Sequence, residues 1–159
     1  MNSIIKEHYA LFEMYQALRN QLLESLTVED LMYRLNQNTP SLGQLCVEIG
    51  EVEQAYIQSF QTFKMDFSYR NQTEGLIHDI EQLTTWLSEL DHQLKTTIEA
   101  LSEETIQTQK IDRGHDFIIS PQFQLEVYKE ALLIFYGKVS VYLKGLEKPT
   151  SEQWMHWIG

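Results

Sequence analysis

The sequence predicts an all-α protein, a four-helix bundle with short accessory helices forming a single domain over residues 1–159. Three observations carry that prediction. Apolar residues recur at steps of three and four along four long segments, the signature of one buried helical face. Only three prolines and seven glycines are present, and most stand between those segments. No stretch alternates apolar and polar residues with period two, as a half-buried strand does.

The first helix is expected from Ile4 to Leu26, with Ile4, His8, Leu11, Tyr15, Leu18 and Leu22 on one stripe. The second opens at NTPSLG, where Thr39 can cap and Pro40 suits the first helical position. Its stripe is Leu42, Leu45, Ile49, Val52, Tyr56, Phe60 and Phe63. The third has the cleanest seam, through Leu76, Ile80, Leu83, Leu87, Leu90 and Leu94, then a seven-residue step to Leu101. Such a seam suits antiparallel packing at ~20° crossing angles. The fourth opens at ISPQFQ with Ser120 as cap, and its stripe runs Tyr128, Ala131, Leu132, Phe135, Val139, Tyr142, Leu146.

Gly137 interrupts that last helix, where glycine costs about 1 kcal/mol relative to alanine. It is expected either to mark a close approach by a neighbouring helix or subunit or to be a tolerated helix glycine. Two shorter helices are expected, TVEDLMYRL capped by Thr27 and TSEQWMHWI capped by Thr150 with Gln153 in capping-box spacing. Residues Ser102 to Ser120 read as a polar connection. Trp154 and Trp157, three apart, read as an apolar cap on the bundle end.

Charge narrows the function. With 23 acidic against 12 basic residues the formal net charge is −11, and Lys129, Lys138 and Lys144 are scattered. A duplex-binding surface needs clustered cations to neutralise phosphates. No nucleic acid and no membrane are therefore expected as partners. No apolar run reaches the ~18–20 residues of a membrane span, and the opening MNSIIKEHYALFEMYQ lacks the plan of a signal peptide. The single Cys46 has no disulfide partner in the chain, which fits a cytoplasmic location and a small core residue.

Five histidines are present, and none forms an H-x-x-x-H pair that would bring two imidazoles to one metal. His8 alone falls on an apolar stripe. Of the second helix's acids, Glu51 is expected in solvent, whereas Glu48 borders the buried face. A carboxylate there could ligate a metal, act as a base, or pair with a lysine or arginine. No G-x-S-x-G or C-x-x-C motif accompanies it.

Three stretches carry a family resemblance. SLGQLCVEIGEVEQAYI (Ser41 to Ile57) resembles the S-I-G-W-x-x-x-H-I-x-x-x-E signature of the DinB/YfiT-like proteins. ALLIFYGKVSVYLKGL resembles that family's H-x-x-x-H-R-G-Q-x-x-x-Y-L-R-x-L, and KPTSEQWMHWIG is similar to its Pro- and Trp-containing tail. The resemblance implies a four-helix bundle of this size and a homodimer. It also implies a zinc or nickel ion held by three histidines, one from the second helix and two, four apart, from the last. Position for position, those histidines fall on Glu48, Ala131 and Phe135, and the Arg-Gly-Gln falls on Tyr136, Gly137 and Lys138.

A methyl and a phenyl have no lone pair to give, and one carboxylate does not hold zinc without partners. The expectation is thus a degenerate metal site with no cofactor and no catalysis. Glu48, Ala131, Phe135 and His8 would mark a vestigial pocket for a small apolar molecule, or the bundle would work as a homodimer through its helix faces. The alternative is a metal-dependent transferase or hydrolase with a rearranged site around Glu48.

Overall fold

The computed structural model describes residues 1–159 as α1 (Ala10–Ser25), α2 (Val28–Leu31), α3 (Leu42–Thr62), α4 (Ile80–Glu99), α5 (Glu103–Thr108), β1 (Ile111–Asp112), β2 (Ile118–Ile119), α6 (Pro121–Gly145) and α7 (Glu152–Trp157). The four long helices are those the periodicity predicts, and their apolar faces meet in one continuous core.

The first segment departs from its expected stripe. A π-helical turn, Ile5–Tyr9, precedes α1, and its wider winding moves the buried face along the chain by one residue. After Ile4 the buried residues are Tyr9, Phe12, Gln16 and Arg19, in place of His8, Leu11 and Tyr15. Leu11 is 50% exposed, and His8 and Tyr15 are half-buried. Leu18 and Leu22 are buried as expected.

The cap of α3 is Ser41, not Thr39, and the helix starts after Pro40. Ser41 Oγ accepts from Gln44 N at 3.2 Å while Gln44 Oε1 accepts from Ser41 N at 2.8 Å. This reciprocal box satisfies two backbone donors at once, which a start at Pro40 does not offer. Helices α3 and α4 then approach closely at Gly50, where a Cβ would come within 2.5 Å of the Trp86 ring. In α4 the buried seam continues to Ile98, the residue the seven-residue step passed over, and Leu101 lies beyond the helix end. Asn2 Nδ2 closes that end by donating to the Ile98 and Leu101 carbonyls at 2.7 and 2.9 Å.

The segment 102–120 is more ordered than a polar connection. It holds α5, capped by Ser102, and the antiparallel pair β1–β2 with Ile111 opposite Ile119. Two-residue strands are too short to show period two in sequence. At the other end of the chain Ser151, not Thr150, caps α7, its Oγ accepting from Trp154 N at 3.1 Å. Trp154 is buried against Tyr136 with ring centroids 5.1 Å apart, and Trp157 lies 5.0 Å from Tyr15. The aromatic tail thus lies along α1 and α6, against Tyr15, Tyr136 and Ser140 within the two helices, and not over a bundle end as expected.

Candidate functional site

Helices α3 and α6 run antiparallel, so residues near the start of α3 meet the middle of α6. Leu45, Glu48, Ile49 and Val52 face Ala131, Ile134, Phe135 and Lys138 across a cleft of about 140 Å³. The structure therefore brings three of the four sequence-derived candidates together. Phe135 is buried, Ala131 is half-buried, and Glu48 is exposed on the rim, its Oε1 3.7 Å from Lys138 Nζ. His8 does not join them. It sits on the π-helical turn, where its nearest acidic partner is Glu7 at 4.0 Å.

A second depression of about 260 Å³ adjoins the first and shares Glu48 and Val52 with it. Its other walls are Glu51, Phe67 and Arg70. Glu51 is not free in solvent as expected. Its carboxylate accepts from Asn71 N at 3.0 Å and stands 3.8 Å from Arg70 Nε, leaving 16% of the side chain exposed. The chain following α3 folds back over the helix and covers it, a tertiary contact that no local pattern announces.

The donor chemistry of the cleft does not fit a three-histidine metal. Of its eight lining residues only Glu48 carries an oxygen that ligates a transition ion, and none is histidine or cysteine. Nowhere in the chain do three or more His, Cys, Asp or Glu side chains stand close enough to hold a metal ion. Cys46 is buried beside the cleft wall, and burial pushes its thiol up to about 12, which keeps it protonated and inert.

The polar centre of the molecule lies elsewhere, between α1, α3 and α4. Arg19, fully buried, donates from Nη1 to Glu53 Oε2 at 2.6 Å and from Nη2 to Asp91 Oδ1 at 2.7 Å. Gln16 Nε2 donates to Glu53 at 3.2 Å and also to Asp91. One guanidinium thus serves two carboxyl groups. Burial raises the Asp91 carboxyl to about 7; Arg19 opposes that rise and neighbouring Glu53 adds to it. The sequence reading missed this network. Its signal was a lone arginine on the buried face of one helix and a glutamate, Glu53, one turn from Ile49, Tyr56 and Ile57 on another.

No protein-family model matches the chain, and no curated protein matches it. Among solved structures, a DinB-like protein (YjoA) from Bacillus subtilis is similar, with a TM-score of 0.66 and 15% sequence identity. The match covers 85% of this chain and 88% of that one. At that identity the likeness shows a DinB-like fold.

Proposed function

We propose that this DinB-like bundle is a non-catalytic, metal-free protein that binds a small apolar molecule in the α3–α6 cleft. One observation carries the reading. Glu48, Ala131 and Phe135, the positions onto which the family's three histidines fall, line a single cleft, and two of the three bring hydrocarbon where a ligand atom is needed. Without a bound ion the bundle lacks the Lewis acid and the activated water on which metal-dependent transfer or hydrolysis depends. What the cleft offers instead is an apolar lining from Leu45, Ile49, Val52, Ala131, Ile134 and Phe135, with one ion pair at its mouth.

Its volume sets the class of ligand. A dry cavity of ~150 Å³ admits benzene, so the cleft suits a single aromatic ring or a short branched alkyl group. The neighbouring depression walled by Phe67 and Arg70 leaves room for a polar extension.

Thermal unfolding with toluene as the probe tests this. The midpoint is expected to rise with toluene in the native chain and to lose that rise in Ala131→Leu, which fills the cleft; no rise in the native chain overturns ligand binding. Elemental analysis of untagged protein tests the metal-free half, and stoichiometric zinc or nickel would overturn it. The combined substitution Glu48→His, Ala131→His and Phe135→His is expected to create affinity for zinc. A folded triple variant that takes up none would show that the three positions do not converge as metal ligands.

A further inference from the structure

Of the chain's four arginines, Arg19 and Arg70 stand against carboxylates and Arg34 is exposed to solvent. Arg113, just after β1, differs from all three. It is half-buried, yet it enters none of the chain's ion pairs, although 23 acidic residues are present. Its neighbour Asp112 is occupied elsewhere, Oδ1 accepting from Gly114 N at 2.8 Å.

Aromatic rings hold this guanidinium in place. Its central carbon lies 5.4 Å from the Tyr56 ring centre, 5.8 Å from that of Phe117 and 6.0 Å from that of Phe67. Ring and cation attract at such distances. Nη1 donates to Gln124 Oε1 at 2.6 Å, and buried Gln124 is itself anchored, its Nε2 donating to Ser59 Oγ at 2.8 Å. The backbone is fixed too, Arg113 N donating to the Phe117 carbonyl at 2.9 Å across a tight turn. Gly114, His115 and Asp116 in that turn are all left-handed, with φ of 82°, 52° and 61°. Two of the three carry side chains, and backbone strain of this kind collects at ligand clamps.

The other edge of the guanidinium is nearly unpaired. Nη2 has only the Tyr56 hydroxyl, at 3.4 Å, and Nε donates to no group of the chain. Two parallel N–H donors of this kind match the two oxygens of one carboxylate. Beside them, Phe67 and Phe117 are each 48% exposed and offer apolar faces.

We propose that Arg113, Phe117 and Phe67 form a binding site for an aromatic monocarboxylate. The carboxylate sits on the Nε–Nη2 edge and the ligand ring lies against the two phenyl rings. A lone guanidinium in a chain of formal −11 suits a single negative charge. None of these residues lines the α3–α6 cleft, and only Phe67 borders the second depression.

Nuclear magnetic resonance titration of the isotope-labelled chain with phenylacetate tests this. The Arg113 Nε–H signal and the Phe117 amide are expected to shift and to saturate. Phenylacetamide, similar in shape but uncharged, is expected to bind ~10-fold more weakly, as loss of a charged hydrogen bond predicts. Arg113→Lys keeps the cation but loses the planar fork, and should weaken phenylacetate binding ~10-fold as well. Phe117→Ser removes a half-exposed ring, which leaves the fold intact, and should weaken binding ~5-fold. Circular dichroism checks that both variants are folded. No saturable shift at Arg113 overturns the proposal. Equal affinity of phenylacetate and phenylacetamide does the same, as does phenylacetate binding indifferent to Arg113→Lys and Phe117→Ser. Shifts centred on Ala131 and Ile134 would place the ring in the α3–α6 cleft; they would overturn this site and leave the toluene reading standing.

Discussion

Arg19, Glu53 and Asp91 place the largest electrostatic stake in the molecule on three side chains. Removing the cation would strand two carboxylates, a loss of the ~3–5 kcal/mol kind. Asp91 is the more informative position because its carboxyl titrates at about 7 in the folded protein, against an ordinary value of 3.8. A folded value raised above the unfolded one has a fixed sign. Its contribution is fully present below about pH 4, where both states are protonated, and is lost as pH rises toward and through 7. The unfolded chain ionises first and gains from doing so. Asp91→Asn keeps a side-chain oxygen for Arg19 and Gln16 but cannot ionise. Denaturant titrations across pH 4 to 7 should therefore show the native chain losing stability relative to Asp91→Asn by a few kcal/mol. A constant difference across that range would mean that Asp91 titrates normally.

Single helices show how far periodicity reaches. The seams of α3, α4 and α6 were legible because one apolar face per helix repeats at 3.6 residues and survives in the core. The first helix was not, because the π-helical turn at Ile5–Tyr9 shifts register without altering composition. Helix packing adds a contrast that sequence cannot supply, since two mid-helix glycines look alike there. A Cβ built on Gly50 would come within 2.5 Å of Trp86 and 2.9 Å of Leu87, whereas one on Gly137 meets nothing within 4 Å. Alanine gains about 1 kcal/mol of helix propensity at either position. At Gly50 the added methyl must push the Trp86 ring and Leu87 aside, and overpacking of that kind costs ~1–3 kcal/mol. Thermal unfolding should thus show Gly50→Ala lowering the midpoint and Gly137→Ala raising it. Equal shifts would mean that α3 and α4 relax around the methyl at no cost.

The molecule as a whole joins a bundle legible in its sequence to a centre that was not. Glu48, Ala131 and Phe135 were set side by side by the family resemblance alone, and the structure brings them to one cleft because α3 and α6 are long and antiparallel. Arg19, Glu53 and Asp91 come from three helices, and their meeting depends on crossing geometry that no one helix encodes. Charge at this scale leads to one more expectation. The chain carries a formal −11, and its exposed pairs, such as Lys95–Glu13 at 2.5 Å and Lys138–Glu48 at 3.7 Å, offset only part of the local field. Exposed pairs contribute ~0–1 kcal/mol each, and salt weakens them. Salt also weakens the repulsion among all the uncompensated carboxylates. A chain of this length has a radius of gyration of ~15 Å, while the screening length falls from ~30 Å at 0.01 M salt to ~8 Å at 0.15 M. At low salt nearly every carboxylate feels every other; at the higher concentration only neighbours interact. The buried Arg19–Glu53 pair is screened far less by the added salt. Repulsion is the many-body term and should dominate, so sodium chloride from 0.01 to 0.15 M is expected to raise the unfolding midpoint by ~2–4 °C, equivalent to about 1 kcal/mol for a domain of this size. A midpoint that falls over the same range would show that the surface ion pairs outweigh the net charge.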